Sequence, residues 1–361
     1  MRIVVKLGTA LITGGNERVD VDFLREFVRQ VSTLHKEGHE ILVVTSGAVA
    51  AGREKLGIDR KDVPSRQVLA AIGQGRLIHI YEELFSEYDI TIAQTLLTRA
   101  DISERLGYLN ARNTLLSLLR YRIIPIINEN DVVAVEELEG RVFGDNDTLS
   151  ALVANLVDAD LLIILSEVDG LFSKDPRRGK GELLRDVFRI DEEIEKMAGG
   201  AGRMGRGGMI TKVRAAKLAT SSGTKVIIAN GKIEDVLIRL VRGEKIGTLF
   251  HPSGTKLESR KRFLLSQIRK GWVLIDKGAE VSIRERNSSL LPIGVVDVGG
   301  YFERGDVIDV RGEDGVIGCG IANYSSEDVR RIKGHHSKEI ANILGYEYGE
   351  EIIHRDNLVI L

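Results

Sequence analysis

The sequence holds a single cysteine, Cys319, among 361 residues, which excludes an internal disulfide and any metal site built from several thiolates. No apolar run approaches the ~20 residues that a bilayer-spanning helix requires. The opening segment MRIVVKLGTA is too short and too quickly polar for a secretory signal peptide. A cytoplasmic protein is the expectation. An excess of one charge is also missing, since 51 Lys and Arg stand against 53 Asp and Glu, for a net charge of −2. The first 250 residues and the remainder each carry close to −1, so neither part shows in bulk the basic footprint of a nucleic-acid binder. A local basic patch is still compatible with those totals. Internal repeats and low-complexity tracts are absent.

What is present points to a soluble enzyme of two domains. Hydrophobic residues make up 43% and charged residues 29%, as in ordinary globular proteins, and 361 residues exceed what one compact core usually holds. Apolar β-branched runs recur at 3–5, 41–44, 123–127, 161–165 and 226–229. Such unbroken runs suit strands buried on both faces of a parallel sheet. Helical patterns lie between them over 21–36, 67–87, 108–119 and 147–157, the first with an apolar stripe of Phe23, Leu24, Phe27, Val28, Val31 and Leu34. This alternation predicts a doubly wound α/β domain over 1–250. Residues 251–270 read as a polar linker. Beyond them, short glycine-punctuated strands and a helical tail over 325–344 predict a small β-rich domain at 271–361.

Ligands of open α/β sheets bind beyond the carboxyl ends of the strands. Four expected strands end in unusual residues: KLGTA, TSGAVAAG, NEND and SEVDG. Lys6, followed by Gly8, offers a point charge for phosphate oxygens, or is a lysine snorkelling from a strand end. Ser46, in a small-residue turn before a helix, is an anion donor at a helix N-terminus or simply an N-cap. Glu129 and Asp131 in NENDVV hold a substrate ammonium or sit in a solvated turn. Asp145, Asn146 and Asp147 either cap a helix or orient lysines and, through water, Mg²⁺. The glycine-rich segment 202–219, GRMGRGGMITKVRAAKLA, runs into a helix carrying Lys212. It is a phosphate cradle or a flexible surface loop. Gly200, Gly202 and Gly205 match G-x-G-x-x-G in form, but no strand precedes them, so the dinucleotide fingerprint fails. The Walker A pattern is absent as well. His335 and His336 lack clustered partners and read as turn residues.

In their order along the chain, VVKLGT, VTSGAVAAGREKLG, AAIGQGRLI, LLTRADI, PIINENDVVA, GDNDTLSAL, GGMITK and GTLFHP resemble the amino acid kinase family. The segments ERNSSLLPIGV, RRIKGHHSKEIANILGYEYG and HRDNLV resemble a PUA domain following it. The resemblance covers nearly the whole chain. It implies a three-layer α/β/α kinase domain with a mostly parallel central sheet, plus a small β-rich PUA-like domain. The implied reaction is ATP-dependent phosphorylation of the side-chain carboxylate of L-glutamate, the first step of proline synthesis, with ATP and Mg²⁺ required. By the same resemblance Lys6 meets the ATP phosphates, Lys212 lies across the transferred phosphoryl group, and Asp147 organises both lysines. Ser46, Gly47, Asp131 and Asn146 bind glutamate. Ser166, Glu167, Arg206, Gly207, Gly208, Met209, Ile210, Thr211 and Lys212 border the nucleotide, which carries the magnesium without a direct protein ligand. The Ser166–Glu167 pair departs from the family's Thr-Asp-like pattern. Proline as feedback inhibitor and a homo-oligomer, dimer or tetramer, are further implications. PUA domains elsewhere usually bind RNA; the charge balance here argues against strong non-specific affinity, which leaves a regulatory or structural role. Two alternatives stand beside this reading: a kinase of the same fold acting on another acceptor, or an RNA-binding or RNA-modifying protein using the PUA domain.

Overall fold

The computed structural model describes residues 1–16, 18–57, 62–134, 146–174, 181–199, 208–256, 264–265 and 268–361. They form two compact units, Met1–Ser103 with Ala111–Lys256, and Glu104–Asn110 with Leu257–Leu361.

The first unit is built on strands β1 (Arg2–Leu7), β2 (Glu40–Val44), β3 (Ile92–Leu97), β4 (Ile124–Glu129), β5 (Leu161–Ser166), β6 (Asp186–Val187), β7 (Lys225–Asn230) and β8 (Thr248–Phe250). Their order across the sheet is β3-β4-β2-β1-β5-β7-β8-β6. Pairing is parallel except between β7 and β8. The helices are α1 (Thr9–Ile12), α2 (Val21–Lys36), α3 (Ala48–Leu56), α4 (Val63–Ser86), α5 (Arg99–Ser103), α6 (Arg105–Arg120, of which 111–120 belong to this unit), α7 (Asn146–Leu156), α8 (Glu192–Met197), α9 (Met209–Thr220) and α10 (Val236–Val241).

Both faces of the central strands are buried, which is why their sequences run apolar without alternation. Ile3, Val5, Ile41, Val43 and Ile163 face a core shared with α2, α4 and α10. The intervening Val4, Leu42, Leu162 and Ile164 are equally buried, on the side where α7 packs on β1 and β5 and α9 on β7. The result is the expected three-layer α/β/α arrangement with a mostly parallel sheet. Helix α2 starts where Asp20 accepts a hydrogen bond from the Phe23 N–H at 3.0 Å, and it ends before Gly38, whose φ of +96° suits only glycine readily. Strand β3 was not among the expected strands. Its IAQTLL sequence is half-exposed, so it lacks the continuous apolar signal of the central strands.

Helices α3 and α4 cross at two glycines. A Cβ on Gly52 would lie 2.0 Å from the Leu69 carbonyl oxygen, and one on Gly73 would lie 1.8 Å from that of Ala48. Only hydrogen fits at either point. We expect Gly73→Ala to force the helices apart and destabilise the fold by about 1–3 kcal/mol, read as a lowered denaturation midpoint. Because α3 begins directly after Ser46 and Gly47, the same variant should also weaken ligand binding at that turn. An unchanged midpoint would show that the crossing tolerates a methyl group.

The second unit contains β9 (Arg269–Ile275), β10 (Val295–Gly300), β11 (Val307–Gly312), β12 (Gly315–Ile321) and β13 (Leu358–Ile360), in the order β10-β9-β11-β12-β13. Val273, Phe302, Ile308, Val310, Tyr324 and Ile353 lie in its core. The segment 325–344, expected as a helical tail, forms two separate helices, Ser326–Ile332 and Ile340–Leu344. The break follows from Gly334, whose φ is +76°, and from His336, which caps a short 3-10 turn at Ser337–Glu339. Among the described residues, no helix is long and apolar enough to cross a membrane.

Candidate active site

Strand β1 lies at the centre of the sheet, between β2 and β5. The chain fills the sheet on the β2 side first and then crosses to β5, so β1 marks the point where winding reverses. That is where doubly wound sheets open a crevice. Lys6 is the last-but-one residue of β1 and is only 6% exposed, and Lys212, in the first turns of α9, is 7% exposed. Both reach Asp147, which is 1% exposed in the first turn of α7. The Lys6 Nζ lies 2.5 Å from Asp147 Oδ1 and the Lys212 Nζ 3.1 Å from Oδ2. The Thr211 hydroxyl is also 2.7 Å from Oδ2, and 2.8 Å from the Gly208 carbonyl oxygen. Burial alone would push the Asp147 carboxyl up. The two ammonium groups override that and hold it well below the usual carboxylate range, and its position in a helix first turn adds to the effect.

A cleft of about 410 Å³ opens beside this triad. Ser46, Gly47, Asp131 and Asn146 all line it, together with Thr9, Arg53, Arg66 and Asn128. Gly47 caps α3 with a φ of +94°, and a Cβ there would come within 3.1 Å of Ile12, so the turn demands glycine twice over. Thr45, just before it, is fixed by a 2.9 Å hydrogen bond between its hydroxyl and that of Tyr81 on α4. Asn146 donates to Ser46 Oγ at 2.9 Å and to Asn128 Oδ1 at 3.2 Å. Its neighbour Asp147 faces the lysines. One helix start therefore serves both the cleft and the charge cluster. Neither lysine lines the cleft itself.

The residues expected around a nucleotide are only partly grouped. Gly208 caps α9, whose first residues are Met209, Ile210, Thr211 and Lys212. Ser166 ends β5 and accepts from the Val168 N–H at 3.3 Å. Glu167 is turned to a surface pair with Lys232 at 2.9 Å. Arg206 and Gly207 lie outside the described residues, as do Asp145, Gly200, Gly202 and Gly205. Glu129, weighed with Asp131 as an ammonium partner, is buried at the end of β4 and does not line the cleft. Among the described residues no group of three or more His, Cys, Asp or Glu side chains is arranged to hold a metal ion. Arg53, Arg66 and Gln74 were not singled out in the sequence. For Gln74 a signal exists: it is a polar residue on the buried stripe of α4 with Leu69, Ala70, Gly73, Leu77 and Tyr81.

The sequence model described as "Amino acid kinase family" matches residues 1–230, and the PUA domain model matches residues 271–344. The chain belongs to the amino acid kinase family. It joins that family's domain to a PUA domain, and it has relatives that match along its whole length. A Herpetosiphon aurantiacus protein named glutamate 5-kinase is 50% identical, covering 99% of this chain and 98% of that protein. Its Dehalococcoides mccartyi namesake is 49% identical over 100% of this chain and 98% of its own length. A third of the same name, from Deinococcus radiodurans, is 48% identical over the full length of both. Amino acid kinase family membership and the PUA match agree with the three-layer first unit and the separate small sheet.

Proposed function

We propose that the chain transfers the terminal phosphoryl group of ATP to the side-chain carboxylate of L-glutamate, giving the acyl phosphate that opens proline synthesis. The observation carrying this is the meeting of Lys6 and Lys212 on opposite oxygens of buried Asp147, one residue from the cleft lined by Ser46, Asp131 and Asn146. The names of the relatives support the same acceptor.

A glutamate side chain has a reference pKa of about 4.3, so at neutral pH it is already an anion and needs no general base. The barrier lies in pressing that anion against a polyphosphate. In this reading a carboxylate oxygen attacks the terminal phosphorus, the bond to the bridging oxygen breaks, and ADP departs. Lys6 and Lys212 balance the charge spreading over the phosphoryl oxygens and the leaving group, while Asp147 holds both in place. Since both Asp147 oxygens are engaged, Mg²⁺ would be carried by the nucleotide phosphates, where it would neutralise charge. Ser46 and Gly47 present donors to the substrate carboxylate, and Asp131 and Asn146 present acceptors to its ammonium. Residues Arg206 to Lys212, with Ser166 and Glu167, are assigned to the nucleotide border. We also propose a division into a kinase domain at 1–250, a linker at 251–270 and a PUA-like domain at 271–361. Cytoplasmic placement, a homo-oligomeric state and proline inhibition at the glutamate site belong to the same proposal.

The test is ATP-dependent hydroxamate formation, which traps an acyl phosphate, run with L-glutamate, L-aspartate and N-acetyl-L-glutamate. Hydroxamate and ADP should form together with L-glutamate and at most weakly with the other two. Faster turnover of either competitor would reassign the acceptor.

A further inference from the structure

The polar groups of the cleft are wired in one direction. Asn146 Nδ2 donates to Ser46 Oγ at 2.9 Å and to Asn128 Oδ1 at 3.2 Å. Asn128 Oδ1 also accepts the Glu129 N–H at 2.9 Å, so both of its acceptor positions are filled. Asn128 Nδ2 in turn donates to Gln74 Oε1 at 2.8 Å. Gln74 sits on α4, is buried, and does not line the cleft. Its carbonyl oxygen ends the chain.

The direction has chemical consequences. An amide presents donors on one side and an acceptor on the other, so turning Asn128 over would point its NH₂ at the NH₂ of Asn146. With Asn128 held as it is, Asn146 uses its NH₂ group inward, and its buried Oδ1 has no hydrogen-bond partner among the described residues. Ser46, which accepts from Asn146, keeps its own hydroxyl proton to donate. The cleft thus offers a donor for a carboxylate and an acceptor for an ammonium group.

We propose that Gln74 is a positioning residue that, together with the Glu129 N–H on Asn128 Oδ1, holds this donor–acceptor polarity through Asn128 and Asn146, and thereby the affinity for the amino acid. The proposal rests on reading the cleft as the glutamate site. What matters at position 74 is an accepting oxygen, and neither bulk nor the fit of α4 can replace it.

Gln74→Met retains length and removes the acceptor; Gln74→Glu retains an acceptor. We expect Gln74→Met to raise the glutamate KM roughly tenfold, as for one buried hydrogen bond left unmade, with kcat and the ATP KM within about twofold. Calorimetric titration of glutamate without nucleotide should show the same loss. Gln74→Glu should bring the KM back to within about threefold of the parent. Gln74→Leu serves in place of Gln74→Met if the latter does not fold. The relay is overturned if the apolar variant keeps the parent KM, or if the apolar and Glu variants are equally impaired. It is also overturned if the ATP KM rises in step with the glutamate KM while the melting temperature falls, since that is the signature of a structural role alone. A parent enzyme that yields no glutamate hydroxamate would instead defeat the functional reading, so the two failures are separable.

Discussion

Replacing either Lys6 or Lys212 by alanine is expected to lower kcat by roughly 10²–10³ while the glutamate KM moves only a few-fold. The split follows from where the ammonium groups are. Both lie on Asp147, outside the lining of the cleft assigned to glutamate. Removing one should therefore leave the ground-state amino acid contacts almost intact. The lost interaction is the one that grows as negative charge redistributes around the transferred phosphorus, and that loss appears in kcat. Steady-state kinetics with glutamate and ATP varied separately would measure it. Near-parent turnover in both variants would remove the lysines from the mechanism. A rise confined to the glutamate KM would make them substrate anchors.

The second large effect concerns stability. Asp147 is the buried anion between two buried cations, and Asp147→Asn leaves both cations in a dry site without it. Breaking a buried ion pair by removing one partner typically costs ~3–5 kcal/mol, because the remaining charge stays uncompensated. We expect a loss of that order in urea denaturation, together with a fall in kcat as the lysines lose their common anchor. The pH dependence has a definite sign. The folded-state pKa of Asp147 lies below its unfolded value, so its contribution is fully present above the ordinary carboxylate range and is lost as pH falls through the lower folded value. From pH 8 down to pH 5, then, the stability gap between parent and Asp147→Asn should stay constant. Below pH 5 the gap should narrow, because the unfolded-state carboxyl takes up its proton first. A gap that stays constant down to about pH 3 would mean that the folded carboxyl titrates at its ordinary value, contrary to tight pairing.

Sequence alone determined the layered α/β architecture, because burial on both faces of a parallel sheet writes itself into runs such as IVV, ILVV and LLIILS. It also determined the strand-end chemistry, since Lys6, Ser46 and Ser166 stand where apolar runs stop, and the order of those motifs carried the family resemblance. These are local signals: each depends on neighbours a few positions away, where residue periodicity and side-chain type are enough. The half-exposed β3 and the broken helix after Ile332 were illegible because weak alternation and a single positive-φ glycine leave little trace in composition. The resemblance implied that Asp147 organises Lys6 and Lys212, and the tertiary structure supplied the contacts; it alone decided that Arg53 and Arg66 line the cleft beside Asp131, and that Gln74 ends a relay reaching Ser46. Those pairings depend on how closely α3 and α4 approach at Gly52 and Gly73 and on how α7 and α9 dock on the sheet. Such contacts join residues far apart in the chain, and their partners are selected by close packing, which no short-range pattern encodes.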